Sequence, residues 1–164
     1  MKRVLIMSEQ LKNLAKFLPN SKMFDFRQYP FYWSSRLTNK YSHKMEVILK
    51  QHGMNITIWR ICMLLKQEGR QSITEIAKHA VGRLPTITKT VYKMQSNGLV
   101  VIRPRKNDGR VSMVKISKLG LQEVDLVLAR MTKLFNSLFE GFTQSELEIL
   151  NRLMEKLFEN LSDN

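Results

Sequence analysis

Between Ser72 and Ser117 the chain changes from helical to extended periodicity, and that change limits what it can fold into. Ser72 followed by Glu75 has the form of a capping box. It opens a short helix whose Ile73, Ile76, Ala77 and Ala80 recur on one face. Val81-Gly82 interrupts that helix, and Pro85, favoured in a first helical turn, starts a second one over residues 85–94, closed by Asn97-Gly98. Ile87, Val91 and Met94 form its inward stripe, which leaves Thr86, Thr88, Lys89 and Lys93 facing out. Beyond Gly98, two β-rich runs, 99–103 and 111–117, flank a segment of hairpin-loop composition, 104–110. The expected fold is mainly α with a small β-hairpin wing, an α+β arrangement of the winged helix-turn-helix kind.

Charge is concentrated in the same stretch. Arg83 to Lys118 holds nine Lys and Arg against a single acid, Asp108, in a chain with a formal net charge of +13. A local excess of that size favours polyanions. In a helix-turn-helix arrangement the second helix enters the major groove, which puts Thr88 and Lys89 at base edges, Pro85 and Thr86 where helix-start amides meet a phosphate, and Lys93 along the backbone. Arg83 stands just before that helix and is assigned to a phosphate, as are Arg105 and Lys106 in the wing.

The ordered set of elements resembles the MarR family of bacterial winged helix-turn-helix regulators. The resemblance is carried by Asp108-Gly109-Arg110 as a D-x-R element, by Asn97-Gly98-Leu99-Val100, and by Ile116-Ser117 ahead of Gly120. Upstream, Met54-Asn55-Ile56-Thr57-Ile58-Trp59-Arg60-Ile61-Cys62-Met63-Leu64-Leu65 is similar to the family's LTxxQWxVLxxL helix. No one of these motifs is specific alone, and the pattern covers roughly residues 30–160. The resemblance implies that Arg110 enters a minor groove and that Asp108 orients it. Two departures stand out: Gly109 replaces a common Arg or Lys, and Arg83-Leu84 replace a capping Asp or Ser. The resemblance also implies a pocket for a small aromatic effector between the first long helix, the Trp59 helix and the helix after the wing. Phe31, Tyr32, Trp33, Arg36 and His43 would contribute from one side and Trp59 and Met63 from the other, an apolar slot with one cation suited to an aromatic carboxylate.

The rest of the chain supplies helices. Residues 8–18 can form a small amphipathic helix with Leu11, Leu14, Ala15 and Leu18 on one side. Pro30 begins a long helix to His52, stopped by Gly53, and Asn55 caps the next, 56–67. Ser117 caps residues 118–139, and Thr143 with Glu146 makes a second capping box for residues 144–161. There Leu147, Leu150, Met154, Leu157 and Leu161 follow heptad-like spacing, a seam that a two-helix end is too thin to bury alone. The expected partners are a second copy of the chain, a pseudo-palindromic double-stranded DNA site and a small aromatic ligand. The organisation read from this is 1–53 for dimerisation and effector contacts, 54–117 for DNA binding and 118–164 for dimerisation.

Other functions lack their signatures. No Gly-rich phosphate loop, nucleophile elbow or paired catalytic carboxylates are present, so the chain reads as a non-enzyme without cofactor. His43, His52 and His79 lack metal-site spacing, which argues against a metal centre. One cysteine excludes a disulfide scaffold and fits a reducing bacterial cytoplasm, and no apolar run reaches the length of a membrane span. Cys62 falls where the family's helix carries a core leucine, implying an inert thiol. A non-specific architectural DNA binder and a winged-helix protein-interaction module remain as alternatives. Met1 and Met7 are both candidate starts.

Overall fold

The computed structural model describes residues 14–105 and 108–161. After two 3-10 turns, Ala15–Phe17 and Phe26–Gln28, the helices are α1 (Pro30–Lys50), α2 (Ile56–Glu68), α3 (Ile73–His79), α4 (Leu84–Ser96), α5 (Lys118–Phe139) and α6 (Gln144–Asn160). Three strands, β1 (Gln71–Ser72), β2 (Val100–Arg105) and β3 (Asp108–Ile116), form an antiparallel sheet in the order β1-β3-β2. The mainly helical fold with a small sheet is the one expected.

Caps account for most of the boundaries. The Asn55 side chain accepts from the Ile58 amide at 2.9 Å. Ser72 and Glu75 make a complete capping box, as do Thr143 and Glu146. Each fills amides that a helix start otherwise leaves to water. Gly69 and Gly98, with φ of 76° and 74°, take the left-handed conformation that ends α2 and turns the chain from α4 into β2.

Three local expectations change. The wing strands are longer than predicted: β2 runs through Pro104 and Arg105, and β3 starts at Asp108, so only residues 106–107 lie between them. Pro104 is compatible with this because the ladder is irregular there, with a register shift between Pro104 and Arg105. Helix α4 begins one residue early, at Leu84, which puts Pro85 in its second position. Of the proposed helix over 8–18, residues 8–13, including Leu11, lie outside the described residues, and the remainder is the short turn Ala15–Phe17. The pairing of Gln71 with Val114 and Ser72 with Met113 had no sequence signal.

The core lies between the second half of α1, α2, α3, the inner face of α4, the sheet and the first half of α5. Met45, Leu49, Ile61, Cys62, Leu65, Ile76, Ile87, Val91, Met94, Val114, Val124, Val127 and Met131 are all buried there. Polar ties join the α1–α2 corner to α5: His52 Nδ1 to Glu123 at 3.1 Å, and Arg130 donating to the Gln51 side chain at 2.8 Å. Helix α6 buries none of its residues and exposes Ile149, Leu150, Leu153 and Met154. No helix among the described residues is long and apolar enough to cross a membrane.

Candidate nucleic-acid interface and cleft

Helix α4 is held by its apolar stripe. Ile87, Val91 and Met94 are fully buried, which turns Pro85, Thr86, Lys89, Tyr92 and Lys93 to solvent. The Arg83 side chain does not cap the helix, and it too is exposed. Thr88 is half-buried and its hydroxyl donates to the Leu84 carbonyl at 2.7 Å, while Thr90 does the same to Thr86 at 2.9 Å. The hydroxyl proton of Thr88 is therefore spent inside the helix, leaving an acceptor and a methyl group to meet a base. Sequence reasoning passed over Tyr92, which is 49% exposed one turn beyond Thr88. Counting outward from Ile87, Val91 and Met94 was enough to find it.

The turn ahead of α4 is strained. Val81, a β-branched residue, has φ of 54° and is 81% exposed. Glycine is the residue that takes this conformation without cost.

In the wing, Arg105, Asp108 and Arg110 are exposed, while Lys106 lies outside the described residues. Asp108 Oδ1 accepts from the Arg110 backbone amide at 3.1 Å. The carboxylate thus fixes the Arg110 backbone rather than its guanidinium, with which it makes no ion pair. The wing is also fastened at its base. Ser117 Oγ donates to the Gly98 carbonyl at 2.6 Å and accepts from the Gly120 amide at 2.9 Å. A Cβ on Gly120 would lie 2.2 Å from the Leu99 carbonyl oxygen, so glycine is needed for that approach.

The residues expected to line an effector pocket divide into two groups. Trp33, Arg36 and His43 line an open cleft of about 1100 Å³ between α1 and α6, together with Leu37, Leu150 and Met154. Lys40 adds a further cation that sequence reasoning missed. Trp59 is only 5% exposed and belongs to the core, and Met63 packs against that core. Neither reaches this cleft, because α2 turns them toward the body of the protein. Tyr32 is occupied beneath the Arg36 guanidinium, 5.3 Å from ring centre to Cζ, and meets Phe26 and Trp33 edge-on. Phe31 packs against Tyr29. Trp33 Nε1 donates to the Arg27 carbonyl at 2.7 Å, which orients the indole at the mouth of the cleft.

Burial pushes the Cys62 thiol up to about 12, so it is protonated at neutral pH. Hydrogen bonds from the Ser72 amide and hydroxyl hold Glu75 below the usual carboxylate range, and those from Thr143 do the same for Glu146. Among the described residues no group of three or more His, Cys, Asp or Glu side chains is placed to hold a metal ion.

With this geometry in place, comparison with known proteins is specific. The profile of the MarR family matches residues 54–112. The HTH-type transcriptional repressor IacR of Pseudomonas putida is 39% identical over 143 residues, covering 87% of this chain and 86% of that protein. The crystal structure of a MarR-family transcriptional regulator from Silicibacter pomeroyi superposes with a TM-score of 0.77 at 19% identity, over 85% of this chain and 94% of that one. NadR, solved in complex with 4-hydroxyphenylacetate, superposes with a TM-score of 0.73 at 19% identity, over 85% of this chain and 97% of that one.

Proposed function

We propose, from the premise that this chain belongs to the MarR family of transcriptional regulators, that it is a homodimeric repressor of a pseudo-palindromic operator, released by a small aromatic carboxylate. The observation that carries the DNA reading is the exposed row of Lys89, Tyr92 and Lys93 on α4, with Arg105 and Arg110 exposed on the adjoining wing. Two such heads would address successive major grooves about 34 to 36 Å apart, with Arg110 in the flanking minor grooves.

The effector reading rests on the cleft between α1 and α6. Arg36, Lys40 and His43 stand beside the apolar Trp33, Leu37 and Met154, a combination suited to an aromatic ring bearing a carboxylate. The relative IacR supports the repressor reading, and the 4-hydroxyphenylacetate complex of NadR supports an aromatic acid as the effector. Release follows from linkage: a ligand that prefers a dimer with misplaced heads lowers DNA affinity by the factor by which DNA lowers its own.

The test begins with sequencing the DNA the protein retains from random duplexes. A defined two-fold site is the expected result, and a footprint without sequence preference would replace this reading with an architectural one. On the selected site, Lys89→Ala is expected to weaken binding and relax base preference. A panel of aromatic acids that includes 4-hydroxyphenylacetate is then titrated into the complex. Arg36→Ala is expected to bind the operator normally and to lose the response. An undiminished response in that variant would remove the cleft from the proposal.

A further inference from the structure

The outer face of the wing sheet carries a second cationic surface. Val100, Ile102, Val114 and Ile116 lie along the inward face, so their neighbours Val101, Arg103, Met113 and Lys115 face out. Val101 is paired with Lys115 and Arg103 with Met113, and the pairing of Gln71 with Val114 brings Arg70 level with Lys115. Arg70, Arg103 and Lys115 thus come together across three strands. With Val101 and Met113 they wall a depression of about 280 Å³ that contains no carboxylate.

Among the described residues none of these three cations has an acidic partner, the ion pairs being His52 with Glu123 and Lys66 with Asp125. Glu75, which feels the charge of Arg105, keeps its own carboxylate on Ser72. Like charges level with each other on neighbouring strands repel, so the fold bears a cost here that a multivalent anion would relieve.

We propose that this outer face receives the phosphodiester backbone of duplex DNA flanking the operator, so that the DNA continues past the wing tip and along the sheet. The inference rests on the DNA-binding function proposed above and extends its contact surface. Two observations favour a long polyanion over a small phosphorylated ligand. Arg70, Arg103 and Lys115 are all exposed, whereas a small anion is held by donors that close around it. The row is also continuous with the tip: Arg103 and Arg105 are two residues apart on β2, about 6.6 Å, and Arg110 stands on the strand beside them. Each strand of a duplex presents one charge about every 3.4 Å along the axis, so cations about 6.6 Å apart can each meet a phosphate.

The test uses the full chain and two duplexes, one ending at the minor groove assigned to Arg110 and one longer by about one helical turn on each side. Wild type is compared with the combined variant Arg70→Gln, Arg103→Gln, Lys115→Gln. Binding is measured across a salt series, with thermal melting as the control for folding. On the long duplex the variant is expected to bind at least about a hundredfold more weakly at about 0.1 M salt, and its log–log salt slope is expected to be shallower by about 2.7 per protomer. On the short duplex the two proteins are expected to bind alike, and the variant is expected to melt no lower than wild type. Equal losses on both duplexes, or no loss on either, overturn the proposal while leaving the DNA-binding reading of the wild-type protein intact. A wild-type protein that binds neither duplex overturns the underlying DNA reading, and this inference with it.

Discussion

Cys62 shows how much a side chain's surroundings decide. It is fully buried in α2 and its thiol is pushed up to about 12, so almost none of it is thiolate at neutral pH. The native protein at pH 8 is expected to resist a thiol-specific reagent that labels it at once in urea. Rapid native labelling would show that α2 opens. Trp59 and Thr88 illustrate the limits of single positions. From sequence Trp59 is expected at a ligand and Thr88 at a base, and both expectations depend on orientation. Trp59 is turned into the core, and Thr88 directs its proton to the Leu84 carbonyl. Neither follows from residue type. Lys89 and Lys93 were legible because three buried neighbours on one helix leave a lysine between them only the outer face.

At the scale of elements, helices were the easiest to read because their ends carry their own chemistry. The capping boxes at Ser72 and Thr143 fix two starts, and Ser72→Ala is expected to lower unfolding free energy by about 1 kcal/mol in urea titrations. Glu75 and Glu146 add a pH term. Their folded-state pKa values lie below the unfolded value, so their contribution is present above the ordinary carboxylate range and is lost as pH falls through the folded values. Glu75→Gln is therefore expected to flatten the loss of stability below about pH 4.5, the ordinary value for a glutamate, and an unchanged acid limb would discount the capping carboxylate. The wing was read less well. Pro104 and the polar run after it have loop composition, yet the ladder tolerates them through an irregularity at Arg105, and such pairing is set by the partner strand rather than by local residues. The turn at Val81 is a liability of the opposite kind. Replacing it with glycine is expected to raise the melting midpoint, by about 0.5–1 kcal/mol in stability, because the left-handed conformation is strained for valine.

At the scale of the whole molecule, the unburied row on α6 is a packing problem that the described residues of a single chain leave unsolved. Ile149, Leu150, Leu153 and Met154 are each nearly half-exposed, and Leu37 on α1 is 55% exposed across the cleft. A second copy is the expected cover of Ile149 and Leu153, meeting the rim of the α1–α6 cleft that Leu37, Leu150 and Met154 line. Ile149→Glu combined with Leu153→Glu is expected to give a monomer in analytical ultracentrifugation with its helical content retained and its affinity for a two-half-site operator reduced. A dimer that survives these changes would place the subunit contact elsewhere. The heptad-like spacing of α6 made Leu150 and Met154 legible but not Ile149 and Leu153, while Leu147 and Leu157 on the same spacing are half-buried. Sequence places Trp59 and Arg36 on neighbouring helices but cannot say which way each helix is rolled, and that roll assigns one side chain to the core and the other to solvent.

The fastening of Ser117 to both Gly98 and Gly120 has a consequence for how a distant event could be felt at the operator. The end of α4, the foot of the hairpin and the root of α5 share one joint, so a displacement of one would carry the others with it. Helix α5 has 22 residues and is about 33 Å long, so a displacement of about 3 Å at its far end corresponds to a rotation of about 5° at that joint. Base reader and groove probe would then swing in step, like two blades fixed to one handle, and the protein would lose its grip on DNA by misalignment without any part of the reading head unfolding.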